Sequence, residues 1–262
     1  MELLGYVASI LIGISLGLIG SGGSILTVPV LVYLFHVDPL LATTYSLCIV
    51  GVSSIAGVIS RLRQKLLDLK IILLFGAPSI LGVFLARKFI LHAIPNQFSL
   101  WNSIYISKSS FIMAFFALLM LASAISMILG KKKKEIEGQL PVYGYSLLFV
   151  GLAEGLVTGI VGAGGGFLII PALVILGKLP MKKAIASSLF IITIKSLVGF
   201  GGDLMHVSVD WKFLFSIIIL ATIGIITGNY LNKKMDGAKL KKGFGVFVLG
   251  MALVILFEQF LA

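Results

Sequence analysis

Lys195 is a cation in the middle of an apolar stretch, FIITIKSLVGF, which runs from Phe190 to Phe200. A charged side chain at the centre of a membrane segment costs about 2.5–3.5 kcal/mol on insertion scales, so a functional role is its default interpretation. The sequence leaves three interpretations open. Lys195 gives positive charge to an anionic substrate, pairs with Glu154, or extends its ammonium to the membrane surface. Glu154 is in turn a candidate for carrying a coupled proton or ion.

Two short glycine-rich stretches interrupt apolar segments and are candidates for binding an anion through the main chain. Each precedes a short apolar helix, whose N-terminus would carry about half a positive charge and unpaired N–H donors. Glycine also lets a ligand approach the backbone closely. The first break comprises Gly20, Ser21, Gly22, Gly23 and Ser24, and the second comprises Gly162, Ala163, Gly164, Gly165 and Gly166.

Hydroxyl side chains in the following apolar segments are further candidate donors to an oxyanion. Ser46 and Ser188 are the substrate candidates, and Ser54, Thr193 and Ser196 lie in the same two segments. Hydroxyls also hold membrane helices together, and the sequence does not separate the two roles. Six other polar residues are expected to be solvated ends of outer loops: His36, His92, His206, Asp38, Asp203 and Asp210.

The surroundings of both breaks repeat along the chain. Gly13–Pro29 and Gly155–Pro171 share six glycines and prolines at one constant offset in residue number, which marks an internal duplication. The paired glycines before the breaks, G-x-x-x-G in both copies, have the spacing of close helix contacts. The same offset continues beyond the motif, where it matches Ala42, Ser46, Leu47, Ser54, Gly57, Asp68, Lys70 and Gly82 with Ala184, Ser188, Leu189, Ser196, Gly199, Asp210, Lys212 and Gly224.

The elements that position these residues are predicted to be membrane helices. The chain is 59% hydrophobic and 12% charged, and several apolar runs reach the length that spans a bilayer. We predict an all-α polytopic membrane protein with two inverted repeats, each containing a glycine-broken helical hairpin. Repeat 1 covers residues 1–130, a basic linker covers 131–141, and repeat 2 covers 142–262. The predicted helices are Leu3–Ile19, Ile25–Phe35, Leu40–Ser60, Leu69–Ala86 and Ser109–Leu129, then Val142–Val161, Phe167–Leu176, Ala184–Gly202, Trp211–Leu231 and Phe244–Phe260.

The distribution of basic residues predicts the topology. The net charge is +11, and loops on one side of the membrane explain it better than nucleic acid does. If each broken hairpin returns to the side where it started, sixteen of the 21 lysines and arginines fall on one side. The positive-inside rule then makes that side cytoplasmic and puts both termini outside. The repeats are inverted, as in many secondary transporters, and their two breaks are expected to meet at a central site.

The motifs resemble those of the sulfite exporter TauE/SafE family. The resemblance is carried by Gly17–Pro29 with Pro39–Leu47 and by Gly159–Pro171 with Pro180–Leu189, and it extends from about Gly5 to Leu256. It implies a bacterial or archaeal inner-membrane permease that exports sulfite or organosulfonates. Ser24 replaces the last glycine of the first break, and Lys195 lies outside the motif.

The sequence therefore predicts a secondary transporter of a small sulfur-containing anion, directed outward and coupled to protons or to the membrane potential. Its expected partners are the anion and the lipid bilayer, not nucleic acid. The alternatives are an anion channel, or a non-transporting membrane scaffold or enzyme subunit. No H-E-x-x-H, Walker loop or G-x-S-x-G is present, so we predict neither an enzyme nor a cofactor or metal site. The sequence leaves the oligomeric state open, and a homodimer is compatible with it.

Overall fold

A computed structural model describes residues 2–95, 97–99, 105–129, 144–204, 207–232 and 237–261. The predicted basic linker at 131–141 lies outside these residues, as does His206. Within them, five helical segments are long and apolar enough to cross a bilayer. The predicted fold class, an all-α polytopic membrane protein, is confirmed, with a short two-stranded ribbon as the one β element described. The repeat boundaries stay a prediction.

The first repeat contains one broken helical hairpin and three longer helical segments. Its elements are α1 (Glu2–Ile19), a 3-10 stretch (Gly20–Leu26), α2 (Thr27–Tyr33), α3 (Pro39–Arg63), α4 (Leu69–Ile71), α5 (Ala77–Leu85), α6 (Leu91–Ala93), β1 (Gln97–Ser99), β2 (Tyr105–Ser107) and α7 (Lys108–Leu129). Two π-helical turns, Ile72–Gly76 and Ala86–Ile90, join α4, α5 and α6 into one continuous helix.

The second repeat follows the same plan, with its break between the first two helices. Its elements are α8 (Ser146–Val161), α9 (Gly166–Ile175), α10 (Met181–Asp203), α11 (Trp211–Asn232) and α12 (Gly237–Leu261). Aspartates at matching positions of the duplication start equivalent helices in the two repeats. Asp68 accepts a hydrogen bond from Ile71 N at 3.2 Å, and Asp210 accepts one from Phe213 N at 3.1 Å. Such N-caps satisfy N–H groups that a helix start leaves unpaired.

The repeats exchange helices instead of packing separately. Helix α1 of the first repeat packs against α11 of the second, and α8 packs against α5 in the same way. A Cβ on Gly13 would meet Gly224, and a Cβ on Gly155 would meet the backbone of Ser79. Gly82 packs on Gly155 in turn, so the contact of Gly13 with Gly224 recurs at the matching positions of the other half. The small residues therefore allow close approach of two parallel helices, as their spacing predicts.

Helices α3 and α10 pair across the centre and run antiparallel. Gly57 packs on Leu189 near one end, and Thr44 donates a hydrogen bond to Asp203 at the other end. Ser54 and Thr193 share a 2.8 Å hydrogen bond between these two contacts. Because α3 and α10 are equivalent helices of the duplication, their antiparallel pairing shows that the two repeats are inverted. Helices α7 and α12 form a fourth pair.

The broken hairpin of the first repeat returns to the end where it began. Phe35, just after α2, packs edge to face on Tyr6 near the start of α1, with ring centroids 5.2 Å apart. Phe35 also contacts Phe213 at the start of α11, with centroids 5.0 Å apart. The two halves of the hairpin thus enter and leave at one end of the bundle, as the charge argument requires.

Candidate functional site

The second break has a backbone that only glycine adopts easily. Gly162, Gly164 and Gly165 have φ angles of 71°, 66° and 75°, in the left-handed region. Gly162 ends α8 by donating its N–H to Thr158 O at 2.9 Å, and α9 begins at Gly166. Ala163, between these glycines, is fully buried. The chain therefore turns sharply inside the protein, where the break faces protein groups and not lipid, as a membrane helix break requires.

A buried polar cluster lies against this break. Lys195 Nζ donates to Glu154 Oε1 at 2.5 Å and to Thr158 Oγ1 at 3.1 Å, and Ser79 Oγ donates to Glu154 Oε2 at 2.6 Å. Lys195 is 0% exposed and Glu154 is 6% exposed. Of the three interpretations open from the sequence, the structure shows the ion pair. A lysine that reaches the membrane surface is ruled out by this burial, and contact with a substrate stays a prediction.

The Glu154 carboxylate lies next to the residue that precedes α9. A Cβ built on Gly165 would collide with Glu154 Oε1 and lie 2.6 Å from Lys195 Nζ. A carboxylate near a helix N-terminus is stabilised by the helix dipole and its free N–H groups. In this structure the protein's own carboxylate therefore lies where the sequence predicts that an external anion binds.

A second buried ion pair flanks the same break on its other side. Arg87 Nη1 donates to Asp203 Oδ2 at 2.7 Å, and Thr44 Oγ1 donates to the same oxygen at 2.7 Å. Arg87 is 1% exposed and Asp203 is 4% exposed. A Cβ on Gly162 would lie 2.5 Å from Arg87 Nη2. The second break thus lies between two buried cations, Arg87 beside Gly162 and Lys195 beside Gly165, each matched by one carboxylate.

The expectation that Asp203 is a solvated loop end is wrong. The helix predicted at Leu69–Ala86 was expected to end at Arg87 and Lys88. In the structure it continues through α6 to Ala93. It stops before Pro95, which forces Ile94 into an extended conformation with ψ of 119°. The extra turns place Arg87 inside the bundle, and a buried arginine needs a partner. Asp203 at the end of α10 supplies it.

A cavity of about 380 Å³ opens beside Asp203, the acidic member of this ion pair. It is lined by Asp38, Leu40, Leu41, Thr44, Leu91, Lys108, Asp203, Val207 and Ser208. Asp203 and Thr44 belong both to the cavity wall and to the ion-pair network. An anion in the cavity would therefore be separated from Gly162 of the second break by Arg87 and Asp203.

The first break is built differently from the second. Gly20 has a φ angle of 73°, but the chain then continues as a 3-10 helix that includes Ser21 and Gly22. Gly23 packs on the backbone of the preceding helix, and Ser24 is fully buried. Gly166 in the second break has Ser24 as its counterpart. With one left-handed glycine in place of three, the first break makes a more gradual turn.

The two breaks pack on equivalent helices but toward opposite ends of the α3–α10 pair. Gly20 contacts Ile185 near the start of α10, and Gly162 contacts Thr43 near the start of α3. These two partner positions are again equivalent in the duplication. The 3-10 stretch after Gly20 packs along α9, so the broken hairpins pass beside each other. The left-handed glycines are thus not side by side at one central point.

The predicted hydroxyl donors are all buried within the α3–α10 pair. Ser188 Oγ donates to Ile185 O at 3.0 Å, a bond within its own helix. Ser46 Oγ and Ser196 Oγ have no hydrogen-bond partner among the described residues. Ser196 Oγ lies 3.2 Å from the Cβ position of Gly164, so its hydroxyl faces the second break. Of these hydroxyls, Ser196 is the one placed to reach a ligand there.

Comparison with known proteins identifies the family. A family profile described as "Sulfite exporter TauE/SafE" matches residues 6–255. The chain belongs to this family. It is 27% identical over 256 residues to the probable membrane transporter protein YunE of Bacillus subtilis, which covers 88% of this chain and 90% of the relative. A probable membrane transporter protein of Xylella fastidiosa (strain Temecula1) is 28% identical over 255 residues, or 95% and 92% of the two chains.

The matched range, residues 6–255, extends across both repeats. YdhB of Bacillus subtilis, also described as a probable membrane transporter protein, is 25% identical over 247 residues, 94% of this chain and 97% of the relative. No solved structure matches the chain at a significant level. The family and its relatives, together with the apolar helices, establish a multi-pass membrane transporter.

Sequence reasoning missed Ser79, Arg87 and Asp203 as neighbours of the break. The constant offset of the duplication contained a usable signal, because it aligns Asp203 with Arg61 and Arg87 with Asn229. Two pairs of equivalent positions near helix ends therefore all hold polar residues. This pattern indicates that the same polar contact is built at both ends of the bundle. Ser79 has no such signal, because its counterpart is Ala221.

Proposed function

We propose that this protein is a secondary transporter that exports a small sulfur-containing anion, such as sulfite or an organosulfonate, across the cell inner membrane. The observation that carries the proposal is the second break, where a helix N-terminus lies between two buried cations. The family description, sulfite exporter, supports the class of anion. Sulfite and sulfonates present three oxygens around one sulfur, so one such anion can accept from several donors at once.

In this proposal the anion takes the place that the Glu154 carboxylate holds now. Lys195 Nζ lies 2.5 Å from Glu154 Oε1, and Gly165 approaches both groups. If Glu154 turns away, Lys195 and the N–H groups at the start of α9 can donate to a substrate oxygen. Ser196 would add a neutral donor from the side of Gly164. The proposed substrate residues are then those of the second break together with Lys195, while those of the first break and Ser46 and Ser188 remain separate proposals.

Proton coupling follows from the same competition. A proton on Glu154 removes the negative charge that holds Lys195, so the ammonium is free to bind the anion. When the anion leaves, Lys195 favours ionised Glu154 again, and the proton is released. One proton and one singly charged anion, such as bisulfite or a sulfonate, would move together, so the site never holds an unmatched buried charge, which is expensive in a membrane. Because both leave in the same direction and without net charge, the outward gradient of the anion would drive the export.

We further propose that both termini lie outside and that the basic loops are cytoplasmic. The hairpin closure at Tyr6 and Phe35 supports this topology, because a returning hairpin is what gathers the basic loops on one side. The cavity at Asp203 would then open to the outside.

The test uses purified protein in detergent and in proteoliposomes. Sulfite, sulfate, thiosulfate, sulfoacetate, taurine and chloride are compared for their effect on the melting temperature, since a ligand of the native state stabilises it by mass action. The control is the double variant Lys195→Met with Glu154→Gln, which removes both charges together. We expect a sulfur oxyanion to stabilise the wild-type protein more than the double variant, and to be accumulated against its own gradient. Equal stabilisation of both proteins would remove Lys195 from the site, and flux that never saturates and never runs uphill would indicate a channel.

A further inference from the structure

The end of the bundle opposite Asp203 contains a buried arginine that has no carboxylate partner among the residues the structure describes. Arg61, near the end of α3, is 7% exposed. Its Nη2 donates to Gly17 O at 3.1 Å and lies 3.5 Å from Asn229 Oδ1. Its Nε has no hydrogen-bond partner among the described residues, and the ion pairs of the described part of the chain are those of Arg87 and Lys195.

The duplication shows that this end corresponds to the Arg87–Asp203 pair. Arg61 and Asp203 occupy matching positions of the two copies, and so do Arg87 and Asn229. Both pairs join the end of a central helix, α3 or α10, to the end of the helix that packs beside it. Both arginines belong to the first repeat and both of their partners to the second. At one end the arginine is on the central helix and its partner is an amide, whereas at the other end the arginine is on the flanking helix and its partner is a carboxylate. One end therefore holds a neutral pair, while at the other end no carboxylate in the described part of the chain offsets the charge of Arg61.

Burial makes this charge expensive unless an anion accompanies it. The carbonyl of Gly17 belongs to the last turn of α1, whose negative dipole end offsets part of the cost. It accepts from one of five guanidinium N–H groups, and Arg61 Nε remains available for a further acceptor. Arginine suits small oxyanions in particular, because its planar fork can donate two parallel hydrogen bonds to two oxygens.

We propose that Arg61, with Asn229, forms a capture site for a small oxyanion on the cytoplasmic side, where the transported anion enters. This inference rests on the proposed function and topology for its direction and its ligand. Asp203 provides the intrinsic counter-anion at the outer end, and the substrate itself provides it at the inner end. In inverted-repeat transporters one repeat moves against the other around a central site, so Arg61 would be reached from the cytoplasmic side in the inward-facing state. A cavity of about 440 Å³ already lies at this end, lined by Ala56, Ile59, Ser60, Arg63 and Gln64.

Asn229→Asp is the decisive variant, because it supplies the missing carboxylate without removing Arg61. The new pair would reproduce the Arg87–Asp203 pair with its members exchanged, so the fold should be retained. We expect the aspartate to compete with the substrate for Arg61. Gln64→Glu is the matched control, since it adds the same charge at the C-cap of α3, three residues after Arg61, at an exposed position where solvent screens it.

The measurement is the initial rate of sulfite uptake into everted membrane vesicles, whose outer face is the cytoplasmic side, at varied sulfite concentration. Asn229→Asp should raise the KM about tenfold or more, the loss expected when a hydrogen bond to a charged group is removed. Arg61→Gln should raise the KM in the same way, provided that the variant protein folds. Gln64→Glu should leave the KM unchanged. A wild-type KM in well-folded Asn229→Asp protein would overturn the inference and leave the proposed function intact.

A second measurement separates failure of the inference from failure of the proposed function. If wild-type vesicles transport no sulfur anion, the proposed function fails, and the Arg61 site is judged by binding alone. The melting temperature of purified protein is then measured with sulfite, sulfate and phosphate. Stabilisation of the wild-type protein by one of them, and its loss in Asn229→Asp but not in Gln64→Glu, would support an oxyanion site at Arg61. No stabilisation of the wild-type protein, or equal stabilisation of all three proteins, would overturn it.

Discussion

Lys195 and Glu154 form a buried ion pair beside the start of α9, and the corresponding positions of the first repeat hold Ser53 and Ile12. The asymmetry includes the neighbours of the pair. Thr158 corresponds to Leu16, and Ser79 corresponds to Ala221, so the same place in the other half of the bundle is almost entirely apolar. Leu16 and Ala221 are both fully buried. The duplication thus preserves the helix packing of both halves and confines the charged cluster to one.

The first prediction concerns the stability of this pair. Lys195→Met should lower the free energy of unfolding by about 3–5 kcal/mol, because it leaves the Glu154 carboxylate buried without its counter-charge. Adding Glu154→Gln should restore most of the loss, since the amide still accepts a hydrogen bond from Ser79. Melting temperatures in one detergent compare the two variants with the wild-type protein. If Lys195→Met alone were as stable as the double variant, a buried Glu154 carboxylate without its counter-charge would not be destabilising, and the prediction would be wrong.

The second prediction concerns proton coupling through Glu154. Glu154→Gln cannot take up and release a proton, so anion flux in this variant should no longer move protons. Proteoliposomes containing a pH-sensitive dye would report internal acidification or alkalinisation when a sulfite gradient is imposed. The wild-type protein should change the internal pH, whereas Glu154→Gln should pass the anion without that change or not pass it at all. A proton signal of wild-type size in the variant would place the coupling elsewhere.

The third prediction concerns topology. Ser208 and Gln64 are exposed at opposite ends of the bundle, beside the outer cavity and at the end of α3. Cysteine is introduced at each position in a Cys48→Ser background, which removes the one native thiol. A membrane-impermeant maleimide applied to intact cells should label Ser208→Cys and should label Gln64→Cys only after permeabilisation. The reverse pattern would invert the proposed orientation.

The fourth prediction tests the close helix contacts. A Cβ on Gly155 would collide with Ser79 O in the backbone of α5, which cannot move away as a flexible side chain can. Gly155→Ala should therefore destabilise the protein by about 1–3 kcal/mol, the usual cost of overpacking. Gly202 in α10 has no atom within 4 Å of its Cβ position, so Gly202→Ala is the matched control. The control should be neutral or slightly stabilising, because alanine favours the helix by up to about 1 kcal/mol over glycine. Equal melting temperatures for the two variants would contradict this packing.

Much of the fold could be predicted because the relevant signals are local or periodic. The breaks at Gly20 and Gly162 ended helices where expected, since a run of glycines removes the preference for helix. The constant offset of the duplication predicted which helices are equivalent, and the antiparallel α3–α10 pair agrees with the inversion. Basic loops indicated that the broken hairpins return, and the contact of Tyr6 with Phe35 shows that the first of them does.

The contacts of the charged residues depend on tertiary structure and were harder to predict. Nothing in the local sequence distinguishes Arg87, buried in the bundle, from a basic residue at a helix end. Its environment depends on two π-helical turns and on Asp203, which is 116 residues away. Lys195 was recognisable as unusual, and Glu154 was named as one partner. The proximity of the pair to Gly165 follows only from the packing of α8, α9 and α10.

The exchange of helices between repeats has a consequence for biogenesis. Helix α1 leaves the ribosome about 200 residues before α11, the helix on which Gly13 and Gly17 pack. During that interval the glycine groove of α1 is open to lipid or to insertion factors. Neither half can complete its helix pairs alone, so assembly must wait for nearly the whole chain. A nascent chain stalled before Trp211 would present an unfilled helix surface, which is the kind of feature that membrane quality control can recognise.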